Sequence, residues 1–184
     1  GPTRLLGSLA PDAPIISFSS LSKAYLAPGW RTGWLAVGRS ERLDDVLAAI
    51  RKLADGRLCS PAPMQHAVKP ALEGDRSHQR AFADALRVRA EITTDMINAI
   101  PGMRVFGAPD LSILAFGAAG KDMQAVAAGM AQRGWIPGLV RRPPGLHLML
   151  SLLHEPARER YIADLAAATA EAPAARNVPI SAVY

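Results

Sequence analysis

A mixed α/β fold is what this sequence predicts, and three observations predict it. Short apolar runs of strand length fall at residues 14–19, 33–37, 104–116, 135–140 and 146–152, bounded mostly by Pro, Gly, Ser or Asp. Between them lie longer stretches whose apolar residues recur at helical spacing, after Ser40 as far as Gly56, and over 61–73, 75–100, 121–133 and 155–171. The last third then repeats the alternation as β-α-β-β-α over residues 104–171, the pattern of a small α/β layer.

Taken in order, PIISFS at 14–19 is apolar and β-branched and is bounded by Asp12 and Pro14, so it reads as a short buried strand. Residues 20–31 read as a loop, because Pro28 and Gly29 interrupt regular backbone. GWLAV at Gly33–Val37 reads as a second strand, and two apolar strands joined by a polar loop predict a buried sheet. Ser40 is suited to cap a helix with Leu43, Val46, Leu47, Ile50 and Leu53 on one face, and Gly56 to end it. Pro61 and Pro63 stand near the start of the helix over 61–73, where a missing N–H is tolerated. The long helix over 75–100 lines up Phe82, Leu86, Ile92, Met96 and Ile97 and stops at Pro101-Gly102. Leu111, Ile113 and Leu114 flank Ser112 in a strand-like pattern, and Gly134 closes the helix over 121–133. Residues 172–184 form a Pro/Ala-rich tail.

Composition narrows the function classes. The chain has 184 residues, 49% hydrophobic and 20% charged, which suits a globular domain able to bury a sizeable core. Every apolar stretch stops well short of the roughly 20 residues that span a bilayer, and residues 1–20 lack a basic region leading into an apolar run. The one cysteine, Cys59, cannot form an internal disulfide, and no His/Asn partner marks it as a nucleophile; a cytoplasmic location is expected. The net charge is +5, but the arginines are scattered, with no Lys/Arg run of four and no aromatic-basic platform, which argues against nucleic acid. His66, His78 and His154 lack metal-ligand spacing, so no metal is expected. The tryptophans Trp30, Trp34 and Trp135 read as packing residues. The first residue is Gly and the sequence runs quickly into a strand, so a chain cut from something longer is expected.

The segment that carries chemistry is SSLSKAYLAPGWRTGW, from Ser19 to Trp34. Its lysine, Lys23, can form an imine with an aldehyde once deprotonated. The hydroxyls of Ser20 and Ser22 can donate to phosphate oxygens, and Arg31, eight residues after the lysine, can grip a phosphate bidentately. Gly29 and Gly33 let the backbone turn and approach a ligand. An amine for an aldehyde, with hydroxyls and a guanidinium for a phosphate, is the chemistry that pyridoxal 5'-phosphate (PLP) requires. A solvated polar loop is the other reading of the same residues.

The spacing Ser-x-Ser-Lys-x5-Gly-x-Arg-x-Gly, formed by Ser20, Ser22, Lys23, Gly29, Arg31 and Gly33, resembles the cofactor-lysine motif of class I/II aminotransferases of fold type I. Thr32 departs from it, since the family usually has an aliphatic residue there. The flanks LGSLAPDAPIISF and SERLDDVLAAIRKLADGRLCSPAPMQHAVKPALEG also resemble the family, including a Pro-x-x-x-Gln run from Pro61 to Gln65. The resemblance is closest to alanine/aspartate-type enzymes and covers roughly residues 1–103. It implies a partial fold type I PLP-dependent transferase: 1–100 as the end of the large domain with linking helices, 101–171 as a small C-terminal domain, and 172–184 as a tail. It implies PLP as cofactor, Lys23 as the Schiff-base lysine and proton shuttle, and Ser20, Ser22 and Arg31 as cofactor ligands. It further implies amino-acid and 2-oxo-acid substrates, and a homodimer with active sites at its interface.

Residues 104–152 are instead similar to the sphingosine-phosphate lyase and decarboxylase group, also of fold type I, although that group typically has His where Ser22 stands. In aminotransferases an arginine on a C-terminal strand clamps the substrate carboxylate; the corresponding strand here is GLHLMLSLL, with His147 near that place. His147 and Arg141 are therefore the expected substrate ligands, against plainer readings as a half-buried strand histidine and a solvated arginine beside Pro143-Pro144. The family's partner for the pyridine nitrogen precedes the lysine, so the chain is expected to be incomplete alone. The alternatives to an aminotransferase are a PLP lyase or decarboxylase, and a non-catalytic fragment or interaction module.

Overall fold

The structure, a computed structural model, describes residues 5–38, 41–57, 62–110 and 112–175. It divides into two compact units, Gly1–Gln79 and Arg80–Tyr184.

The first unit holds α1 (Leu6–Leu9), β1 (Ile16–Ser20), β2 (Gly33–Val37), α2 (Asp44–Asp55), α3 (Ala62–Gln65) and α4 (Val68–Glu73), with short 3-10 turns at Pro28–Trp30 and Glu41–Leu43. Strands β1 and β2 pair antiparallel, from Ile16 opposite Val37 to Ser20 opposite Gly33. The expected sheet is present, but it is not buried: Phe18 is 76% exposed and Leu35 also faces solvent. A two-stranded sheet has two faces and only one thickness of chain, and no third strand pairs with it among the described residues.

Helix α2 carries the expected stripe, yet only Leu43 at its start is buried, while Leu53 is 74% exposed. Ser40, Cys59 and Pro61 lie outside the described residues. The single helix expected over 61–73 is instead the pair α3 and α4, with turns at 66 and 67. Pro70 explains the break: in a continuous helix its ring would meet the carbonyl of His66, and it has no N–H to donate.

Helix α5 (Ser77–Asn98) is launched by Asp75, whose carboxylate accepts from the Ser77 N–H at 2.9 Å. Of the expected stripe, Ile97 is buried and Phe82, Leu86 and Met96 are half-buried, but Ile92 is exposed, and Ala90 and Thr93 complete the buried face. Thr93 enters the core because its hydroxyl donates to the Arg89 carbonyl at 2.7 Å.

Beyond α5, the second unit contains β3 (Met103–Val105), β4 (Ile113–Ala118), α6 (Met123–Gln132), β5 (Gly138–Val140), β6 (Gly145–Met149), a 3-10 turn (Leu152–Ala157) and α7 (Arg158–Glu171). The strand expected over 104–116 is thus two strands, and the order is ββαββα. Gly107, at φ +68°, turns the chain between them, and Leu111 lies outside the described residues. The sheet runs β3-β4-β6-β5 and is antiparallel throughout, with Leu114 opposite Leu148 and Phe116 opposite Leu146. Leu114, Phe116 and Leu146 enter a core shared with Val126 and Met130 of α6, Leu165 of α7, and Ile97 of α5. Fully burying each such side chain contributes about 1.5–3 kcal/mol. Asp122 caps α6 by accepting from Gln124 N–H at 2.9 Å and Ala125 N–H at 3.3 Å, and Gly134 ends that segment at φ +88°. No helix of the described residues is long and apolar enough to cross a membrane.

Candidate active site

The register of β1 and β2 decides which side of the lysine loop meets which. Ser20 stands opposite Gly33, and the Leu21 N–H donates to the Thr32 carbonyl at 2.9 Å. The leg bearing Ser20, Ser22 and Lys23 therefore lies beside the leg bearing Arg31 and Gly33. Leu21 is buried and anchors the loop from below, with its carbonyl accepting from the Ala27 N–H at 3.0 Å. The Lys23 carbonyl accepts from the Leu26 N–H at 3.0 Å, so the chain turns directly after the lysine. The Ser20 hydroxyl oxygen accepts from the Ser22 N–H at 3.3 Å. Lys23 itself is exposed, with no hydrogen-bond or ion-pair partner for its amine among the described residues.

Two non-glycine residues of this loop are left-handed, Leu26 at φ 56° and Arg31 at φ 48°. Such conformations cost roughly 1–3 kcal/mol each and persist where the surroundings impose them. Arg31 donates one guanidinium N–H to the Pro28 carbonyl at 2.9 Å. Thr32 is buried, and its hydroxyl donates to the Trp30 carbonyl at 3.0 Å. That local bond satisfies the group that sets Thr apart from an aliphatic residue. At Gly33 a β-carbon would stand 2.6 Å from the Ser19 carbonyl oxygen, so glycine is required by close approach of the two strands. Gly29 is different from expectation: its φ is not left-handed and a β-carbon there meets open space.

The loop is held from outside by residues that sequence reading did not single out. The Gln79 side-chain amide donates to the Ala24 carbonyl at 2.9 Å. Tyr25 meets the Trp34 ring edge-on at 6.2 Å, and the Arg76 guanidinium lies 5.8 Å from the Tyr25 ring centre. The sequence signal for these was slight: an aromatic two residues after the lysine and another at the far end of the loop. The resulting donor set fits the two ends of an aldehyde phosphate. An amine without a competing partner stands on one leg, and a guanidinium with N–H groups to spare stands on the other.

The second unit places the remaining expected residues apart. Arg141 is exposed in the turn between β5 and β6. His147 lies on β6 opposite Gly138, and its imidazole fills the space that a β-carbon on Gly138 would occupy. His147 is half-buried, and its Nδ1 is buried without a hydrogen-bond partner. It lines a cavity of about 420 Å³ at the end of the ribbon away from Arg141. The cavity walls include Trp135, Ile136, Leu148, Leu150 and Tyr161. Trp135 donates its indole N–H to Asp164 at 2.8 Å and meets Tyr161 edge-on at 5.1 Å. Burial pushes the Tyr161 phenol up to about 12.

Arg158, the first residue of α7, also lines this cavity, and its Nε is buried without a partner. A donor left so typically costs about 1–3 kcal/mol. Sequence reading missed Arg158; the available signal was a cation at a helix N-terminus, where the macrodipole disfavours it. Among the described residues no group of three His, Cys, Asp or Glu side chains is placed to hold a metal ion.

Fold and loop together define a class. The family model for aminotransferase class I and II matches residues 2–133, and the chain belongs to that family. The alanine aminotransferase of Mycobacterium tuberculosis (strain ATCC 25618 / H37Rv) is 39% identical over 101 residues, 53% of this chain and 24% of that protein. The chain thus spans about a quarter of the length of the curated relatives it matches. The crystal structure of an aminotransferase from Escherichia coli superposes with a TM-score of 0.73 at 22% identity, covering 91% of this chain and 45% of that one. This likeness shows the fold, the α/β fold of part of a fold type I transferase. A sphingosine-1-phosphate lyase of Burkholderia pseudomallei K96243 matches 53% of this chain and 22% of its own at 30% identity, with a TM-score of 0.49.

Proposed function

We propose that this chain carries the lysine-bearing part of a PLP-dependent aminotransferase site, which moves an amino group from an amino acid to a 2-oxo acid. The observation that supports it most is the hairpin register that sets the Lys23 leg beside the Arg31 leg, inside the span matched by the family. In this reading Lys23 holds the cofactor by its aldehyde carbon, and Arg31, Ser20 and Ser22 hold its phosphate. When bound, PLP supplies an electron sink for charge at the substrate α-carbon. With the cofactor held there, the Nζ of Lys23 would move a proton between the substrate α-carbon and the cofactor's C4′ carbon. Arg31 must release the Pro28 carbonyl for a bidentate grip that includes that N–H.

For the substrate carboxylate the candidates are His147, which lines the cavity beside β6, and Arg141, which is exposed in the β5–β6 turn. The amino donor that the relatives' names favour is alanine. A homodimer in the cytoplasm belongs to the same reading and rests on the family alone. Because the chain spans so little of its relatives, turnover needs residues beyond those it supplies.

The experiment is an absorbance scan of the chain mixed with PLP, before and after borohydride, with Lys23→Ala beside it. A visible-edge band that depends on Lys23, and a reduced adduct mapped to Lys23, are expected. Equal labelling of Lys23→Ala, or adducts spread over surface lysines, would refute the assignment. Amino donors, alanine first, are then tested for conversion of the bound cofactor.

A further inference from the structure

We propose that Gln79 is a positioning residue for Lys23: it holds the turn on which the lysine stands, so that the amine meets the aldehyde of a cofactor whose phosphate lies on the Arg31 leg. The inference rests on the cofactor reading above and adds to it a residue outside the lysine motif. Every residue it uses belongs to the Gly1–Gln79 unit.

Lys23 is exposed and its amine has no partner among the described residues, so the backbone alone decides where that amine starts from. The backbone there is a turn, closed by the Leu26 N–H on the Lys23 carbonyl at 3.0 Å, with Ala24 and Tyr25 in the middle. The common turn types differ in the orientation of this central peptide, which the closing bond leaves open. Gln79 addresses that peptide: its side-chain amide donates to the Ala24 carbonyl at 2.9 Å. Beyond the same peptide, the Tyr25 ring meets Trp34 of β2 edge-on at 6.2 Å. The turn is thus tied both to α5 and to the strand that follows Arg31. Leu26, its last residue, is left-handed at φ 56°, a strain that outside support sustains.

The brace is itself anchored. The Asp75 carboxylate accepts from the Ser77 N–H at 2.9 Å, and the Gln79 N–H donates to the Arg76 carbonyl at 3.1 Å, which fixes the start of α5. Arg76 donates to the Leu72 carbonyl of α4 at 2.7 Å, and its guanidinium lies 5.8 Å from the Tyr25 ring centre. A primary amide suits the task chemically. A carboxylate in its place could not donate to the Ala24 carbonyl, and a lysine would compete with Lys23 for the aldehyde.

The test is borohydride trapping of the intact chain with PLP and, in parallel, with pyridoxal, which has the aldehyde but no phosphate. Reduced adducts are mapped by mass spectrometry, and labelling of Lys23 is expressed relative to Lys52, Lys69 and Lys121. In the parent, PLP should favour Lys23 more than pyridoxal does. Gln79→Glu and Gln79→Met both remove the donor, and Glu suits the first turn of a helix. Each should lower the PLP labelling of Lys23 by about threefold to tenfold, the range that loss of one hydrogen bond gives. Labelling of Lys23 by pyridoxal and the thermal melting should stay as in the parent. Unchanged PLP labelling in the variants, or an equal fall with pyridoxal, would overturn the positioning role while leaving the cofactor reading intact. A parent chain without a Lys23-dependent PLP adduct would instead refute the cofactor reading, and this role with it. Should Gln79→Glu fail to fold, Gln79→Met decides.

Discussion

Tyr161 holds its proton because burial disfavours the phenolate, and that makes it a reporter of folding at high pH. Its pKa rises from 10.0 to about 12 in the folded chain. The unfolded chain releases this proton near pH 10, the folded chain only near 12. The contribution to stability is therefore complete below pH 10 and is lost between 10 and 12, a fall of roughly 2–3 kcal/mol. Tyr161→Phe should remove that part of the alkaline slope, as read by urea unfolding across this pH range; an unaltered slope would show that Tyr161 is not its source. The same scale separates what local sequence can reveal from what it cannot. Ser20, Ser22, Lys23 and Arg31 belong to one hairpin, so their spacing along the chain is also their arrangement in space. Gln79 supports the loop from 55 positions away, and Arg158 matters only because a cavity forms against it. No spacing rule records either fact.

Helix α6 shows an element whose limits are written locally. Asp122 accepts from two free N–H groups at its start, and Gly134 supplies the left-handed turn after its end. Asp122→Ala should cost about 1 kcal/mol, with Asn at that position restoring most of it. Thermal melting of the two variants checks this, and equal stability of Ala and Asn would remove the capping role. Other elements were less legible because a competing local feature prevailed. Pro70 divides the helix expected over 61–73, and Gly107 separates β3 from β4 where one strand was expected. In α5 the hydropathy pattern pointed to Ile92, whereas the hydrogen bond from Thr93 to the preceding turn hides that polar group and lets it face the core.

At the scale of the molecule, the hydrophobic core belongs to the second unit: its buried cluster runs from Ala90 to Ala172. In the first unit, among the described residues, only Leu21, Thr32 and Leu43 are buried. Local opening is easiest where few apolar contacts must be broken. Amide hydrogen exchange should thus be slow in β4 and β6 and faster by orders of magnitude in β1 and β2. Mass-spectrometric exchange reads this directly, and equal protection in the two sheets would contradict it. The α/β class was legible because strand and helix periods are properties of a segment. The burial of the first sheet was not, because burial depends on what packs against a strand, and Phe18 looks the same in sequence whether covered or bare.

The lysine hairpin also has a place in time. Its register joins Ser20 to Gly33, so pairing closes a loop of twelve residues, 21–32. Closing a loop of that size takes on the order of 10–100 ns, and zipping a hairpin about 1–10 μs. Pairing β4 with β6 must first gather the chain between them, including all of α6. The meeting of Lys23's leg with Arg31's leg is therefore among the earliest events as the chain folds. Because an isolated two-stranded ribbon is only marginally stable in water, it is also among the most often undone. The proposed cofactor chemistry sits on the part of the chain that is quick to form rather than slow to open.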